Sequence, residues 1–344
     1  MPRRFDGQDT YHMKNRLIFT ALALLAAVPA SAVEILNASY DVARELFDSV
    51  NPAFAQEWKA KTGEPLVIRQ SHAGSSKTAR SVADGLPADV VTLNQATDVE
   101  LLERSGLVAA DWRKRLPNNA SPYYSLPVFL VRQGNPKQIK DWSDLVKPGI
   151  QVVFPNPKTS GNGRYTYLAA YAFALDQYKG DERKATEFVG KLLANVPVFD
   201  TGGRGSTTTF VERQIGDALV TFESEVSAIR REYGKSQLEA VVPSLSLRAD
   251  FPVAVVDKVV DKKGTRKVAT AYLEFLFSPA GQEIIAKHHN RIHDPAVAQK
   301  YAEQFPHVKL VTVEEVFGGW DAVGTKHLAQ GAILDKALLS APAR

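Results

Sequence analysis

Residues 33–76 read VEILNASYDVARELFDSVNPAFAQEWKAKTGEPLVIRQSHAGSS, and this stretch decides the fold class. Val33 to Ser39 and Pro65 to Gln70 are short β-rich runs, while Ala43 to Lys61 between them carries apolar residues at helical spacing. Each β-run ends in a turn-prone loop, Tyr40-Asp41 and Ser71-His72-Ala73-Gly74-Ser75-Ser76, and each loop opens a helix. Strand, helix and strand in that order predict a βαβ unit and a parallel sheet. Working outward, Ala88 to Leu93 reads as a third strand, with helices at Ser76 to Gly85 and Val99 to Arg104. After the irregular, Pro- and Asn-containing stretch Leu116 to Ser125, a second series begins. Its strands are Val128 to Arg132, Val152 to Phe154, Val196 to Phe199 and Ala218 to Phe222; its helices are Arg164 to Asp176, Glu182 to Asn195, Thr207 to Ile215 and Glu225 to Tyr233. Phe251 to Val256 is a further strand. Arg266 to Phe277 and Ala280 to His288 have helical spacing and are expected to pack back on the first lobe, so that the chain crosses twice between two α/β lobes.

The chain has 344 residues, 44% hydrophobic and 23% charged, a globular composition that sets a prior of two domains. Its formal charge of +4 owes much to Arg3, Arg4, Lys14 and Arg16; without residues 1–32, 38 basic side chains face 36 acidic ones. That balance gives no footprint for nucleic acid. The absence of cysteine excludes disulfides, thiolate metal sites and cysteine nucleophiles. Lys14 and Arg16 precede the apolar run Leu17 to Val28, and Ala30-Ser31-Ala32 supplies small residues for cleavage, so residues 1–32 read as a secretory signal peptide with Met13 as an alternative start. The run is shorter than the roughly 20 residues needed to span a bilayer. A cleaved chain without an anchor belongs in the periplasm of a Gram-negative cell.

The chemistry lies at the carboxyl ends of the expected strands, where ligands bind in open α/β sheets. Besides the two loops above, Pro155-Asn156-Pro157-Lys158-Thr159-Ser160-Gly161-Asn162-Gly163 follows one strand and Asp200-Thr201-Gly202-Gly203-Arg204-Gly205-Ser206 another, each opening a helix. Helix N-termini carry unsatisfied N–H donors and partial positive charge. Any one such loop is also an ordinary helix cap; two per lobe, facing each other across a cleft, would surround a small anion with N–H and O–H donors.

Other motifs lead nowhere. Ser76-Lys77-Thr78 lacks the glycine pattern of a P-loop, and no G-x-S-x-G elbow is present. His288, His289 and His293 read as a solvated helix end rather than a metal site, and Lys258, Lys262, Lys263, Arg266 and Lys267 as a solvated loop.

With Ser39-Tyr40-Asp41, Arg69 to Lys77, Asn156 to Tyr165, Asp200 to Thr207 and Phe317-Gly318-Gly319-Trp320, the chain closely resembles the sulfate- and thiosulfate-binding proteins of ABC importers. The resemblance implies a type II periplasmic-binding-protein fold: two α/β lobes with a hinge, residues 33–122 plus 248–344 forming a discontinuous first lobe and 123–247 the second. It places backbone donors at Asp41, Ser75, Gly161, Asn162 and Gly203 and a hydroxyl donor at Ser160. Tyr40 and Gln95 support the site, and Arg164 and Arg204 tie loops together without touching the ligand. Asn162 stands where sulfate-specific members have Gly, and Phe222 where they have a donating Trp; with Thr92 to Asp98, these features look like the thiosulfate-binding branch. Phe222 either edges the sulfur of thiosulfate or simply packs in the core.

The expected function is capture of thiosulfate or sulfate and delivery to an ABC permease by a monomer, without catalysis, cofactor, metal or nucleic acid. The alternatives are a periplasmic oxyanion-ester hydrolase, which needs a nucleophile or metal cluster not found in the sequence, and a binder of another tetrahedral oxyanion such as molybdate.

Overall fold

A computed structural model describes residues 32–234 and 237–340, so the expected signal segment lies outside the described residues. The chain runs β1 (Val33–Tyr40), α1 (Arg44–Thr62), β2 (Leu66–Ala73), α2 (Ser75–Ala83), β3 (Val90–Thr92) and α3 (Ala96–Arg104). Two short strands follow, β4 (Tyr123–Ser125) and β5 (Pro127–Arg132), then β6 (Val152–Val153), α4 (Gly161–Gln177) and α5 (Glu182–Ala194). Next come α6 (Gly203–Thr207), which continues as a π-turn over Thr208–Glu212, then β7 (Ala218–Phe222), α7 (Glu223–Tyr233), β8 (Leu238–Val241) and β9 (Leu245–Leu247). The return path is β10 (Ala249–Asp250), β11 (Val253–Val255), α8 (Asp257–Lys263), α9 (Arg266–Phe275), α10 (Pro279–Lys287), β12 (Arg291–Ile292), β13 (Lys309–Val311) and α11 (Ile333–Ser340).

These strands build two principal sheets, which give the two-lobe α/β architecture. One has the order β11-β3-β1-β2, with β1 parallel to both neighbours and β11 antiparallel to β3. The other has the order β6-β7-β5-β8, with β6 parallel to β7 and β5 antiparallel to both its neighbours. Between them β4 pairs antiparallel with β10 and β12, so the outward and returning chains are hydrogen-bonded where they cross. The strand interiors explain why the sheets are covered by helices: β3, β5 and β7 are buried almost throughout, and Phe47, Phe129, Trp142, Tyr167, Tyr171 and Tyr272 are fully enclosed.

Val196 to Phe199, expected as a strand, is not one. It runs beside β6 but is bonded only at its ends, through Val152 N to Asn195 O at 2.9 Å and Asn156 N to Asp200 O at 2.8 Å. Pro197 lacks the N–H that a ladder would require. The tail also departs from expectation. Whereas α9 and α10 pack with β11 and α1, β13 pairs parallel with β9 and α11 packs on α5. Lys309 bonds Asp176 at 2.6 Å and Tyr167 bonds His327 at 2.9 Å, so the tail beyond Lys309 makes contacts with elements of the second lobe. The basic cluster lies on helices rather than in a loop, and two of its five residues form ion pairs: Lys263 reaches the buried Asp89, and Arg266 bonds Asp257 and Asp261, each at 2.7 Å, while Lys258, Lys262 and Lys267 are exposed.

Candidate functional site

The four loops meet. A methyl group built on Gly74 would stand 3.5 Å from Thr201 O and 3.6 Å from Thr159 O, so the β2–α2 loop lies against both loops of the second lobe. Those two loops are joined by Thr159 Oγ1 donating to Thr201 O at 3.1 Å. The first loop completes the ring: Arg204 N donates to Asp41 Oδ2 at 3.3 Å, and a methyl on Gly202 would come within 2.7 Å of the same oxygen. A side chain at 202 would therefore displace the Asp41 carboxylate.

Asp41, Ser75, Ser160, Gly161, Asn162 and Gly203 thus come to one place, all at or beside helix starts. Ser75 is the first residue of α2, Gly161 and Asn162 are the first two of α4, and Gly203 is the first of α6. Ser160 caps α4 and is buried, as are Ser75, Asn162 and Gly203. Asn162 is not among the residues of positive φ, so an L side chain sits there without strain. Its Nδ2 donates to Thr221 Oγ1 at 2.9 Å, and Thr221 Oγ1 in turn donates to Glu225 Oε2. Thr207 Oγ1 donates to the other Glu225 oxygen at 3.2 Å. This chain fixes the start of α4 to the end of β7 and to α6.

In the first lobe an acid organises the loops. Asp98 accepts from Ser75 Oγ at 2.6 Å, Ser76 Oγ at 2.9 Å and Gln95 Nε2 at 2.7 Å, leaving the backbone N–H groups at the start of α2 outside these side-chain bonds. Arg164 of α4 lies 3.9 Å from Asp98, and Arg204 of α6 pairs with Glu45 of α1. These two arginines of the second lobe are therefore each engaged with an acid of the first. Arg164 also donates to Pro157 O at 2.9 Å.

Tyr40 and Phe222 sit in an aromatic cluster at the junction of the lobes. The Phe222 ring centre is 5.1 Å from Phe251 and 6.0 Å from Tyr165, Tyr40 is 5.2 Å from Phe251, and its hydroxyl is 3.4 Å from that of Tyr123. With 1% exposure, the Phe222 ring is enclosed among these rings.

Sequence reasoning assigned no role to Asn94, Asp98 or Glu225. Burial raises the Glu225 carboxyl to about 7, with the nearby Asp41 pushing the same way and the Thr221 bond opposing it. Burial also raises Asp41, against hydrogen bonds from Arg204 N and Val42 N. The signal for these residues was weak, because a polar residue near a helix start reads as a cap until its distant partner is known.

The described residues hold no group of three or more His, Cys, Asp and Glu side chains placed for a metal ion, and no helix among them is long and apolar enough to cross a membrane. His288 bonds Ser49 at 2.8 Å and His293 packs 5.2 Å from Tyr124, so both are held against the fold rather than solvated. A cavity of about 400 Å³ lies beside the junction, lined by Ala96, Tyr165, Arg248, Asp250 and Trp320 among others, but by no residue of the four loops.

Two α/β lobes presenting helix starts to one another across a junction define a solute-binding protein. The chain belongs to the bacterial extracellular solute-binding proteins, whose family profile matches residues 38–291. It is 55% identical to the thiosulfate-binding protein of Pseudomonas aeruginosa over 93% of this chain and 96% of that one. It is 51% identical to the sulfate-binding protein of Escherichia coli over 92% of this chain and 96% of that one. Among solved structures, the sulfate-binding protein SubI of Mycobacterium tuberculosis superposes with a TM-score of 0.78 at 32% identity, covering 85% of this chain and 98% of SubI.

Proposed function

We propose that the protein captures thiosulfate or sulfate in the periplasm, after removal of residues 1–32, and delivers it to an ABC permease. The observation that carries this reading is the convergence of four helix-opening loops around Asp41, Ser75, Ser160 to Asn162 and Gly203, with both neighbouring arginines engaged by carboxylates. In this reading the anion takes hydrogen bonds from the backbone N–H groups of Asp41, Ser75, Gly161, Asn162 and Gly203 and from the Ser160 hydroxyl. Hydrogen bonds to a charged group contribute about 1.5–3 kcal/mol each, so six offset much of the dehydration of a dianion. Phe222 and Tyr40 form the floor, and Arg164 and Arg204 draw the lobes together. Residues 33–122 and 248 to about 306 make one lobe, with 123–247 and the tail from Lys309 making the other. The hydrogen-bonded crossing strands β4 and β10 are the hinge.

Two experiments test the assignment. Titration calorimetry should show one thiosulfate or sulfate bound per chain, weakened about 10-fold or more by Ser160→Ala through loss of one charged hydrogen bond. Incubation with chromogenic sulfate and phosphate esters should give no turnover; turnover would favour the hydrolase. Phe222→Trp, which adds an indole donor, should shift the affinity ratio toward sulfate, and an unchanged ratio would count against a role for that position.

A further inference from the structure

The chain makes a fifth loop at the end of β3, between the strand and α3. Asn94 lies in it, 3% exposed, with its backbone N donating to Ser75 Oγ at 3.2 Å. Its side chain reaches from the first lobe to the first residue of α4. A methyl group built on Gly161 would stand 2.8 Å from Asn94 Cγ and 3.2 Å from Nδ2, and it would clash outright with Oδ1. The buried Oδ1 has no hydrogen-bond partner. Buried polar atoms are rarely left unpaired, and an unpaired one is costly. Here the orphan points at the spot where the loops of both lobes meet.

Resting on the reading of that spot as an oxyanion site, we propose that Asn94 is a specificity-determining contact whose carboxamide donates a hydrogen bond from Nδ2 to the bound anion beside Gly161. The oxygen and nitrogen ends of an amide are assigned from their partners, and a half-turn of the carboxamide exchanges them. Nδ2 then adds a donor from the first lobe without adding a positive charge. Because its neighbour Gly161 belongs to the second lobe, the contact forms fully only with the lobes together, so it couples capture to closure. A side chain at position 161 would occupy the same space, which gives the glycine there a physical reason.

The test compares thiosulfate and sulfate titrations of the unmodified protein, Asn94→Ala and Asn94→Asp, with Ser160→Ala alongside. Loss of one charge-assisted bond predicts a roughly 10- to 100-fold weaker affinity for Asn94→Ala. Asn94→Asp should be weaker still, because the same shape then presents a negative oxygen to the anion. Variants that bind within two-fold of the unmodified protein, or that lose affinity equally, overturn the contact, since packing alone makes no distinction by charge. If Ser160→Ala weakens binding while the Asn94 variants do not, only the Asn94 assignment falls; if the unmodified protein binds neither anion, the underlying site reading falls. Should thermal melting show that a variant is unfolded, the side-chain amide spectrum of the unmodified protein decides. The Asn94 Nδ2 proton pair should move on saturation with thiosulfate, and an unmoved pair overturns the proposal.

Discussion

Glu225 is an acid buried beside the proposed anion site, and its setting has a measurable consequence. Its carboxyl faces Asp41 and Arg204 and accepts from Thr221 and Thr207, yet burial dominates and raises it to about 7 from an ordinary 4.5. A raised carboxyl contributes stability that is fully present below its unfolded value and is lost as the pH climbs through the folded one. Stability should therefore fall between about pH 4.5 and 7 through this group. Glu225→Gln should remove that slope and gain up to about 3 kcal/mol relative to the unmodified protein between pH 5 and 8. Chemical denaturation at both pH values checks this; parallel profiles would show that the group titrates normally. At this scale the loops were legible as a set, because four helix-opening loops rich in Gly, Ser and Asn stand at strand ends, although each alone reads as an ordinary cap. Asn94, Asp98 and Glu225 were not, since their meaning lies in partners far along the chain: Asp98 in Ser75 and Arg164, and Glu225 in Thr207 and Asp41.

The start of α4 positions half of the six proposed donors. It carries Gly161 and Asn162 as its first residues and Ser160 as its cap, and Gly163 lets it sit tightly on the loop before it. A methyl group on Gly163 would press into Pro155 O and stand 2.9 Å from both Asn156 C and Pro157 N, all backbone atoms that cannot swing away. Gly163→Ala should cost about 2–3 kcal/mol by overpacking, read as a lowered denaturation midpoint, and it should weaken thiosulfate binding as well. A variant as stable as the parent would mean that this backbone yields. The order of strands and helices was largely readable from apolar periodicity, including α1, α5 and β5. Val196 to Phe199 misled because its composition is that of a strand while Pro197 interrupts the donor row. Thr207 to Ile215 was read as one helix; the structure starts α6 four residues earlier and widens the rest into a π-turn.

Across the whole molecule, ion pairs of different character tie the lobes: besides the buried Arg291–Glu223 pair at 2.7 Å, two lie beside the loops. Arg204 and Glu45 are each about two-fifths exposed, whereas Arg164 and Asp98 are nearly enclosed. An exposed pair contributes up to about 1 kcal/mol, while removing one partner of a buried pair costs about 3 kcal/mol or more. Thermal denaturation should accordingly show Arg164→Ala well below Arg204→Ala, and equal midpoints would contradict the burial argument. Two lobes with crossing chains were legible from the doubled strand–helix series. The return of residues 309–340 to the second lobe was not, because β13 is three residues long and its pairing with β9 leaves no periodic trace. In the proposed site a dianion is held by hydrogen-bond donors that carry no positive charge, with the Asn94 carboxamide turned to donate. Its most direct test is a competition titration of thiosulfate, sulfate, molybdate and hydrogen phosphate at pH 8. The account predicts tight binding of thiosulfate or sulfate and rejection of hydrogen phosphate by a factor of about 10⁴, because pairing its proton would turn Asn94 Oδ1 to the anion and forfeit the Nδ2 donor there. Hydrogen phosphate bound as tightly as sulfate would contradict it.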